Sequence, residues 1–442
     1  MSFTDASFAA GFTTAIKAFG SSWGDINNDG LLDLFICARD TDTNNLTGNK
    51  LYLNNGNFSF SDISVSSNIE DLNDMSFCAA FIDFNLDGLL DIYIANDRLV
   101  PNELFKNNGD LTFSSIGLSS NTDIIMDAMS TTIGDYNYDG FPDFYTTNTH
   151  AGNAMLRNNG DETFLELADS LGVAFNSVAW GAVFLDGDND MDLDLYVSGM
   201  LGPSSGDLPS AYFERTLTDT FVLETLGFEL DTAASFSNAI GDLNNDGFPD
   251  IAVSNKEPIN HFVYQNVPNS NHWIKINLEG TISNRDAIGA RIELSSGGQL
   301  QYNFTLLGEG FLGQNSMTEF FGIGLNTTID SITVYWPSGL IDKVYSPSID
   351  QTLDLIEGFS LGLSELNNQF IFYPNPSSDG IFFIENNSNE AISEVSIINS
   401  IGQKISTELL LNNSLNIKAF GRGIYYISIL NSSSNSIIKV VY

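Results

Sequence analysis

Five stretches of this sequence repeat one chemical device, in which short oxygen-bearing side chains occupy alternate positions of a nine-residue loop. The first is Asp25-Ile26-Asn27-Asn28-Asp29-Gly30-Leu31-Leu32-Asp33. Side chains at positions 1, 3 and 5 can converge on one hard cation when the backbone turns tightly between them, and a glycine at position 6 permits that turn. Position 7 can add its carbonyl, and the aspartate at position 9 would close the shell. The expected ligands are therefore Asp25, Asn27, Asp29, Leu31 and Asp33; Asp83, Asn85, Asp87, Leu89 and Asp91; Asp135, Asn137, Asp139, Phe141 and Asp143; Asp186, Asp188, Asp190, Asp192 and Asp194; and Asp242, Asn244, Asp246, Phe248 and Asp250. Oxygen-only shells favour calcium over zinc. The expectation is up to five Ca2+ ions.

The fourth loop departs from the others twice. Met191 replaces the glycine, at a cost of about 1 kcal/mol if that residue must be left-handed, and Asp188 supplies a carboxylate where the other loops have asparagine. An EF-hand would need a glutamate at position 12 and flanking helices. Position 12 is instead Ile36, Ile94, Thr146, Val197 and Val253, and the residues after each loop are β-branched or aromatic, so each loop enters a strand. Plain Asp/Asn-rich turns without an ion are the alternative for any single loop. Five copies in register argue against it.

The elements that must position these loops repeat with them. First aspartates at 25, 83, 135, 186 and 242 are spaced by 58, 52, 51 and 56 residues, the size of a propeller blade. A strand precedes each loop, with a large residue two before the aspartate (Trp23, Phe81, Ile133, Phe184, Ile240) and small ones five before it (Gly20, Cys78, Ser130, Gly181, Ser237). Small side chains suit an innermost strand crowded around an axis. A second strand follows each loop. A third ends in the hairpin signal Asn54-Asn55-Gly56, Asn107-Asn108-Gly109 or Asn158-Asn159-Gly160, and a weaker fourth follows, as in Phe58-Ser59-Phe60-Ser61-Asp62-Ile63. The last unit reaches a third strand at His261-Phe262-Val263-Tyr264 and lacks a fourth. The expectation is that Ser2-Phe3-Thr4-Asp5-Ala6-Ser7 supplies it and closes a five-bladed ring, the alternative being a seven-bladed parent whose upstream blades are lost.

Sixteen basic against 56 acidic residues give a net charge of −40. That balance excludes nucleic acid and anionic membrane surfaces as natural partners, and no apolar run reaches membrane-spanning length. Cys37 and Cys78 form no disulfide framework and match no metal spacing. The start, Met1-Ser2-Phe3-Thr4-Asp5, has no signal-peptide pattern.

The acidic loops and their Asn-Asn-Gly hairpins resemble the FG-GAP or VCBS-type repeats of integrin α-subunit propellers and bacterial surface proteins, over residues 1–268. Within 271–358, Asn284-Arg285-Asp286-Ala287-Ile288-Gly289-Ala290-Arg291, Gly308-Glu309-Gly310-Phe311, Phe321-Gly322-Ile323-Gly324-Leu325 and Val334-Tyr335-Trp336-Pro337-Ser338-Gly339 resemble the ASPIC/UnbV domain that follows such propellers in the cartilage acidic protein family. Ala287 departs from the glycine usual there. Residues 359–369 read as a linker. From 370 to 442, Tyr373-Pro374-Asn375-Pro376, Gly402-Gln403 and Gly423-Ile424-Tyr425-Tyr426 resemble the C-terminal sorting domain of the type IX secretion system.

The fold class expected is all-β, a propeller followed by two small β-sandwich-like domains. The last resemblance implies export by the type IX machinery, through residues 370–442, to the surface or surroundings of a Bacteroidetes-type bacterium. An exported chain would carry a signal peptide, so the start is expected to be truncated.

Two strings imitate catalytic motifs. Gly20-Ser21-Ser22-Trp23-Gly24 fits G-x-S-x-G without the strand-to-helix turn that motif needs, and Gly308-Glu309-Gly310-Phe311-Leu312-Gly313 fits G-x-G-x-x-G without a βαβ unit and reads as a β-turn. The functional expectation is a non-catalytic, calcium-binding adhesion protein whose propeller face takes an unknown glycan or protein. The alternative is a polysaccharide-processing enzyme with a carboxylate site at the channel mouth.

Overall fold

In the computed structural model the chain is nearly all β-strand. The structure describes residues 3–39, 48–69, 75–200 and 207–358 (apart from 217, 219, 226, 229 and 230), then 370–374, 377–386, 392, 394–399, 404–408, 414–430 and 435–442. The expected linker at 359–369, and Asn375, Pro376, Gly402 and Gln403 of the last motif, lie outside the described residues.

Five antiparallel sheets follow one another. The first orders β1 (Ala18–Gly24), β2 (Asp33–Ala38), β3 (Lys50–Asn54) and β4 (Phe60–Asp62). The second orders β5 (Ser76–Ile82), β6 (Asp91–Asn96), β7 (Glu103–Asn107) and β8 (Phe113–Ser115). The third holds β9 (Thr131–Gly134), β10 (Asp143–Thr146), β11 (Ala154–Asn158) and β12 (Phe164–Glu166), and the fourth β13 (Val178–Leu185), β14 (Asp194–Met200), β15 (Ser210–Arg215) and β16 (Phe221–Glu224). The fifth has three strands, β17 (Ser235–Gly241), β18 (Asp250–Asn255) and β19 (Phe262–Tyr264).

Each acidic loop joins the first strand of its sheet to the second, as the spacing predicts. Neighbouring first strands lie side by side, β1 on β5, β5 on β9, β9 on β13 and β13 on β17. The small residues make this possible: a Cβ on Gly20 would meet the backbone of Phe77 on the next sheet. Apolar residues fill the spaces between sheets, with Phe35, Phe81, Ile92 and Phe105 between the first and second, and Tyr93, Phe144, Leu156 and Phe164 between the second and third.

The N-terminal segment does not complete the fifth sheet. The Asp5 carboxylate accepts the Ser7 amide at 2.9 Å, and a turn follows over residues 7–11. Phe60 then donates its amide to the Ala10 carbonyl at 2.8 Å, and the Phe12 ring packs 4.9 Å from Tyr52 and 5.1 Å from Phe60. Residues 7–12 thus cover the outer edge of the first sheet, because aromatic burial there outweighs pairing along a short polar strand.

Residues 272–358 form further strands, among them β20 (His272–Glu279), β21 (Arg291–Ser296), β22 (Gln299–Phe304), β23 (Glu319–Gly324) and β24 (Ser331–Tyr335). β20 pairs with β23, while β21 pairs with both β22 and β24. These strands share one compact unit with the five sheets.

The last part has two sheets of its own. One contains Phe370–Tyr373, Ile381–Asn386 and Ser414–Asn416; the other contains Lys404–Glu408, Glu394–Asn399, Ile424–Leu430 and Asn435–Val441. Phe382, Ile384, Val395, Ile397, Leu415, Ile427 and Ile429 form their common core.

Candidate metal loops and the covered axis

In the first loop, Asp25 Oδ1 accepts the Asp29 amide at 3.0 Å and Oδ2 the Gly30 amide at 2.8 Å. Asp29 Oδ1 accepts the Leu31 amide at 2.9 Å, and Asn27 donates its side-chain amide to Asp29 Oδ2 at 3.0 Å. At the far end Asp33 accepts the Ile26 amide at 3.0 Å and the Asn54 amide at 2.7 Å. The loop is therefore curled around its own carboxylates.

The same bonds recur in every copy. The first-position carboxylates of Asp83, Asp135, Asp186 and Asp242 take the amides of positions 5 and 6, Asp87 and Gly88, Asp139 and Gly140, Asp190 and Met191, and Asp246 and Gly247. Position-7 residues Leu89, Phe141, Asp192 and Phe248 donate to the position-5 carboxylate, as Leu31 does. Asn85, Asn137 and Asn244 donate to that carboxylate as Asn27 does. In the fourth loop Asp186, Asp188 and Asp190 bring carboxylate oxygens within 4.8 Å of one another. Three carboxylates converge in this way in the fourth loop, and in the other four the side chains of positions 3 and 5 are joined by a hydrogen bond.

Two conformational demands set the curl. Position 6 is left-handed, at φ of 86°, 88°, 89° and 89° in the four glycine loops and 85° at Met191, so the fourth loop carries the expected strain. Position 4 is left-handed as well, at Asn28, Leu86, Tyr138, Asn189 and Asn245, which the sequence reading missed. Asparagine tolerates that region; leucine and tyrosine do so at about 1 kcal/mol each.

Burial raises the carboxylate pKa values first, and neighbouring carboxylates add to it. Asp83 is pushed up to about 6, Asp33 and Asp135 to about 7, and Asp91, Asp143, Asp186 and Asp194 well above the ordinary value. Asp143 is fully buried and accepts the Asn158 amide at 2.8 Å. Several acids crowded in a water-poor pocket ionise together only beside a cation. The donor set, all oxygen, fits a hard divalent ion.

The fifth loop differs. Burial would raise Asp242, but the hydrogen bond from Lys275, loop amides and the ammonium charge together hold its pKa below the ordinary value. Lys275 Nζ lies 2.7 Å from Asp242 Oδ2.

Sequence reading also missed a clamp between loops. The first asparagine of two Asn-Asn-Gly turns accepts the glycine amide and also reaches away from the turn: Asn107 donates its side-chain amide to the carbonyls of Leu90 at 3.0 Å and Ile26 at 2.9 Å, and Asn158 to those of Pro142 at 3.3 Å and Phe84 at 2.8 Å. Asn266 repeats this with Pro249 at 3.0 Å and Gly187 at 2.6 Å. Each clamp ties position 8 of one loop to position 2 of the loop before. In the fourth sheet Arg215 holds the equivalent place, and its guanidinium stacks 4.9 Å from the Tyr138 ring of the third loop. The near-constant offset of this asparagine, 24, 23 and 24 residues beyond position 1 at Asn107, Asn158 and Asn266, was the available signal.

The loop-bearing face is covered. Residues of the following domain stand against each loop: Ile282 near Gly30, Gly289 near Leu90, Tyr302 near Gly140, Gly322 near Asn189 and Trp273 near Gly247. From the same domain, residues 307–316 enter the axis. Trp23 on β1 donates to the Leu307 carbonyl at 3.3 Å, Gly310 donates to Thr131 on β9 at 2.8 Å, and Ser316 donates to Ile240 on β17 at 2.9 Å. Glu309 accepts the Ile133 amide at 2.9 Å, the Thr132 hydroxyl at 3.2 Å and the Asn315 amide at 2.9 Å. The Phe311 ring lies 5.8 Å from Phe77 and 4.8 Å from Trp180. What reads as a β-turn is a plug. A cavity of about 80 Å³ remains beside it, lined by Glu309, Glu319, Asn315 and Thr318.

The serine of the G-x-S-x-G string belongs to this packing. Ser22 is fully buried and donates to the carbonyls of Ala79 and Gly308. It is a strut between sheets.

Comparison with known proteins matches these parts in order. The FG-GAP-like repeat matches residues 25–94, 83–146 and 135–197, ASPIC and UnbV matches 280–360, and the secretion system C-terminal sorting domain matches 371–442. The chain carries FG-GAP-like repeats, an ASPIC and UnbV domain and a C-terminal sorting domain. A cartilage acidic protein 1 from Xenopus tropicalis is 26% identical over 282 residues, 60% of this chain and 42% of that protein, so this chain spans less than half the relative's length. Among solved structures, the extracellular domain of a putative hybrid two component system from B. thetaiotaomicron aligns at 12% identity and a TM-score of 0.38, over 97% of this chain and 54% of the other. The Dos1 propeller aligns at 9% identity and a TM-score of 0.33, over 96% and 94%. The FG-GAP-like repeats thus supply the first four acidic loops, the ASPIC and UnbV domain covers the loop face, and the sorting domain marks a secreted or cell-surface protein. Among the described residues no helix is long and apolar enough to cross a membrane.

Proposed function

We propose that this chain is a secreted, calcium-stabilised propeller of the adhesion or ligand-binding kind, exported through its C-terminal sorting domain. The observation that carries the calcium reading is the fourth loop, where Asp186, Asp188 and Asp190 bring carboxylate oxygens within 4.8 Å of one another. A cation held there would neutralise the crowded carboxylates and lock the curl of each loop, which is a structural role. The chain's own residues do the rest: the loop amides orient the carboxylates and the asparagine clamps couple neighbouring loops.

An external glycan or protein needs a surface other than the covered face. A pocket of about 430 Å³ opens between the fourth and fifth sheets, walled by Tyr212, Phe228 and Tyr264 with Glu214 and Glu224 among its lining residues. Aromatic faces beside carboxylates suit a neutral or cationic ligand, sugars included. The enzyme reading is the weaker one, because the axis where a channel-mouth carboxylate site would open on the loop face is filled by residues 307–316.

The test is a melting curve with calcium and after chelation by EGTA, run beside a glycan array and a hydrolysis screen. Unchanged melting would remove the calcium reading. Turnover abolished by one carboxylate substitution would replace binding with catalysis.

A further inference from the structure

Lys275 sits on β20 of the ASPIC and UnbV domain, and its side chain runs into the fifth acidic loop of the preceding repeats. The ammonium and the Asp242 carboxylate are 2.7 Å apart, with only 7% and 3% of their side chains exposed. The ammonium also lies 5.2 Å from the centre of the Trp273 ring, and Trp273 itself packs on Gly247 at position 6 of that loop. Asp242 Oδ2 accepts the Gly247 amide at 2.8 Å in addition. The first-position carboxylate of this loop therefore already has a full positive charge and amide donors beside it.

The other end of the loop is equally satisfied. Asp250 accepts the Leu243 amide at 2.8 Å and the Asn266 amide at 2.7 Å, one on each oxygen. Asp33 in the first loop is satisfied in the same way, by the Ile26 amide at 3.0 Å and the Asn54 amide at 2.7 Å, so what sets the fifth loop apart is the Lys275 ammonium. First-position carboxylates Asp25, Asp83, Asp135 and Asp186 are held by amides of their own loops.

We infer that the fifth loop takes no metal ion, because Lys275 is its built-in counter-cation, and that calcium fills the four loops before it. A divalent ion bound to Asp242 would bring two positive charges against a buried ammonium that cannot retreat, since β20 pairs with β23 on one side and the stem is enclosed. Removing the ammonium would leave Asp242 unpaired in a pocket that still has the complete oxygen set, so the loop would revert to a metal site. The same ion pair docks the ASPIC and UnbV domain on the repeats without depending on calcium.

The inference rests on the calcium reading of the first four loops, and one titration separates the two. The full chain is stripped with EGTA, and bound calcium per chain is measured by calorimetry and by elemental analysis. Four ions are expected in the wild type and five in Lys275→Met, while Asp83→Asn drops the wild-type count by one. Five ions in the wild type, or an unchanged count in folded Lys275→Met, would overturn the inference. No bound calcium in either would instead remove the calcium reading beneath it. A second readout needs no substitution at Lys275: terbium emission sensitised by tryptophan is compared between wild type and Trp273→Phe. Emission unaltered by that substitution supports an empty fifth loop. Emission that falls by more than half places a metal beside Trp273 and overturns it.

Discussion

Asn107 donates its side-chain amide to the carbonyl of Ile26, 81 residues earlier in the chain, at 2.9 Å in a fully buried position. One side chain thus couples the second repeat to the metal loop of the first. Asn107→Ala leaves the Ile26 and Leu90 carbonyls without this donor, at a cost of about 1–3 kcal/mol. Denaturant unfolding should show it, and calcium affinity should weaken at two loops together. An affinity loss confined to one loop would mean that the clamp is only local packing.

Chelation should act on the repeats and spare the sorting domain. With dissociation constants of roughly 0.1 mM and about 1 mM calcium, each occupied loop adds about 1.4 kcal/mol. Calorimetric melting with EGTA should move the transition of residues 1–358 downward and leave that of residues 370–442 in place. Asp135→Asn should reproduce part of the shift in the presence of calcium.

The plug should behave as core. Phe311→Ala removes a ring in contact with Phe77 and Trp180 and is expected to cost about 3–5 kcal/mol. The tryptophan near-ultraviolet signal should change with it, because Trp180 loses its nearest aromatic neighbour. Stability within about 0.5 kcal/mol of wild type would show the axis to be loosely filled.

Glu319 gives a pH dependence of definite sign. Burial first, and the nearby Glu309 carboxylate after it, push its pKa from 4.5 up to about 8. The folded state then holds a proton that the unfolded chain releases, so this contribution is complete below pH 4.5 and is lost as pH rises towards 8. Glu319→Gln removes the dependence. The melting temperature of wild type relative to that variant, at fixed calcium, should fall between pH 5 and about 8.5. A rising difference would contradict the assignment.

The local code was legible because its physics is local. A glycine six residues into an acidic loop, followed by a β-branched run, states a turn and a strand within a dozen residues, and all five loops stand where that code puts them. The position-4 residues escaped notice because leucine and tyrosine at 86 and 138 disguise a left-handed demand that Asn28 alone would have suggested. The clamps, the Lys275 ion pair and the plug are contacts across 33 to 286 residues, set by how whole strands pack rather than by neighbouring side chains. The N-terminal closure failed for the same reason. Strand-like composition at Ser2–Ser7 did not reveal that Phe12 would find Tyr52 and Phe60 first.

The plug also sets an order of events. Residues 307–316 follow the fifth sheet by more than forty positions, so a chain emerging from its N-terminus has made every sheet before it makes the segment that fills their axis. Phe77 and Trp180 receive the Phe311 ring only from that later segment. The repeats of this protein draw the filling of their centre from a domain that is synthesised after them.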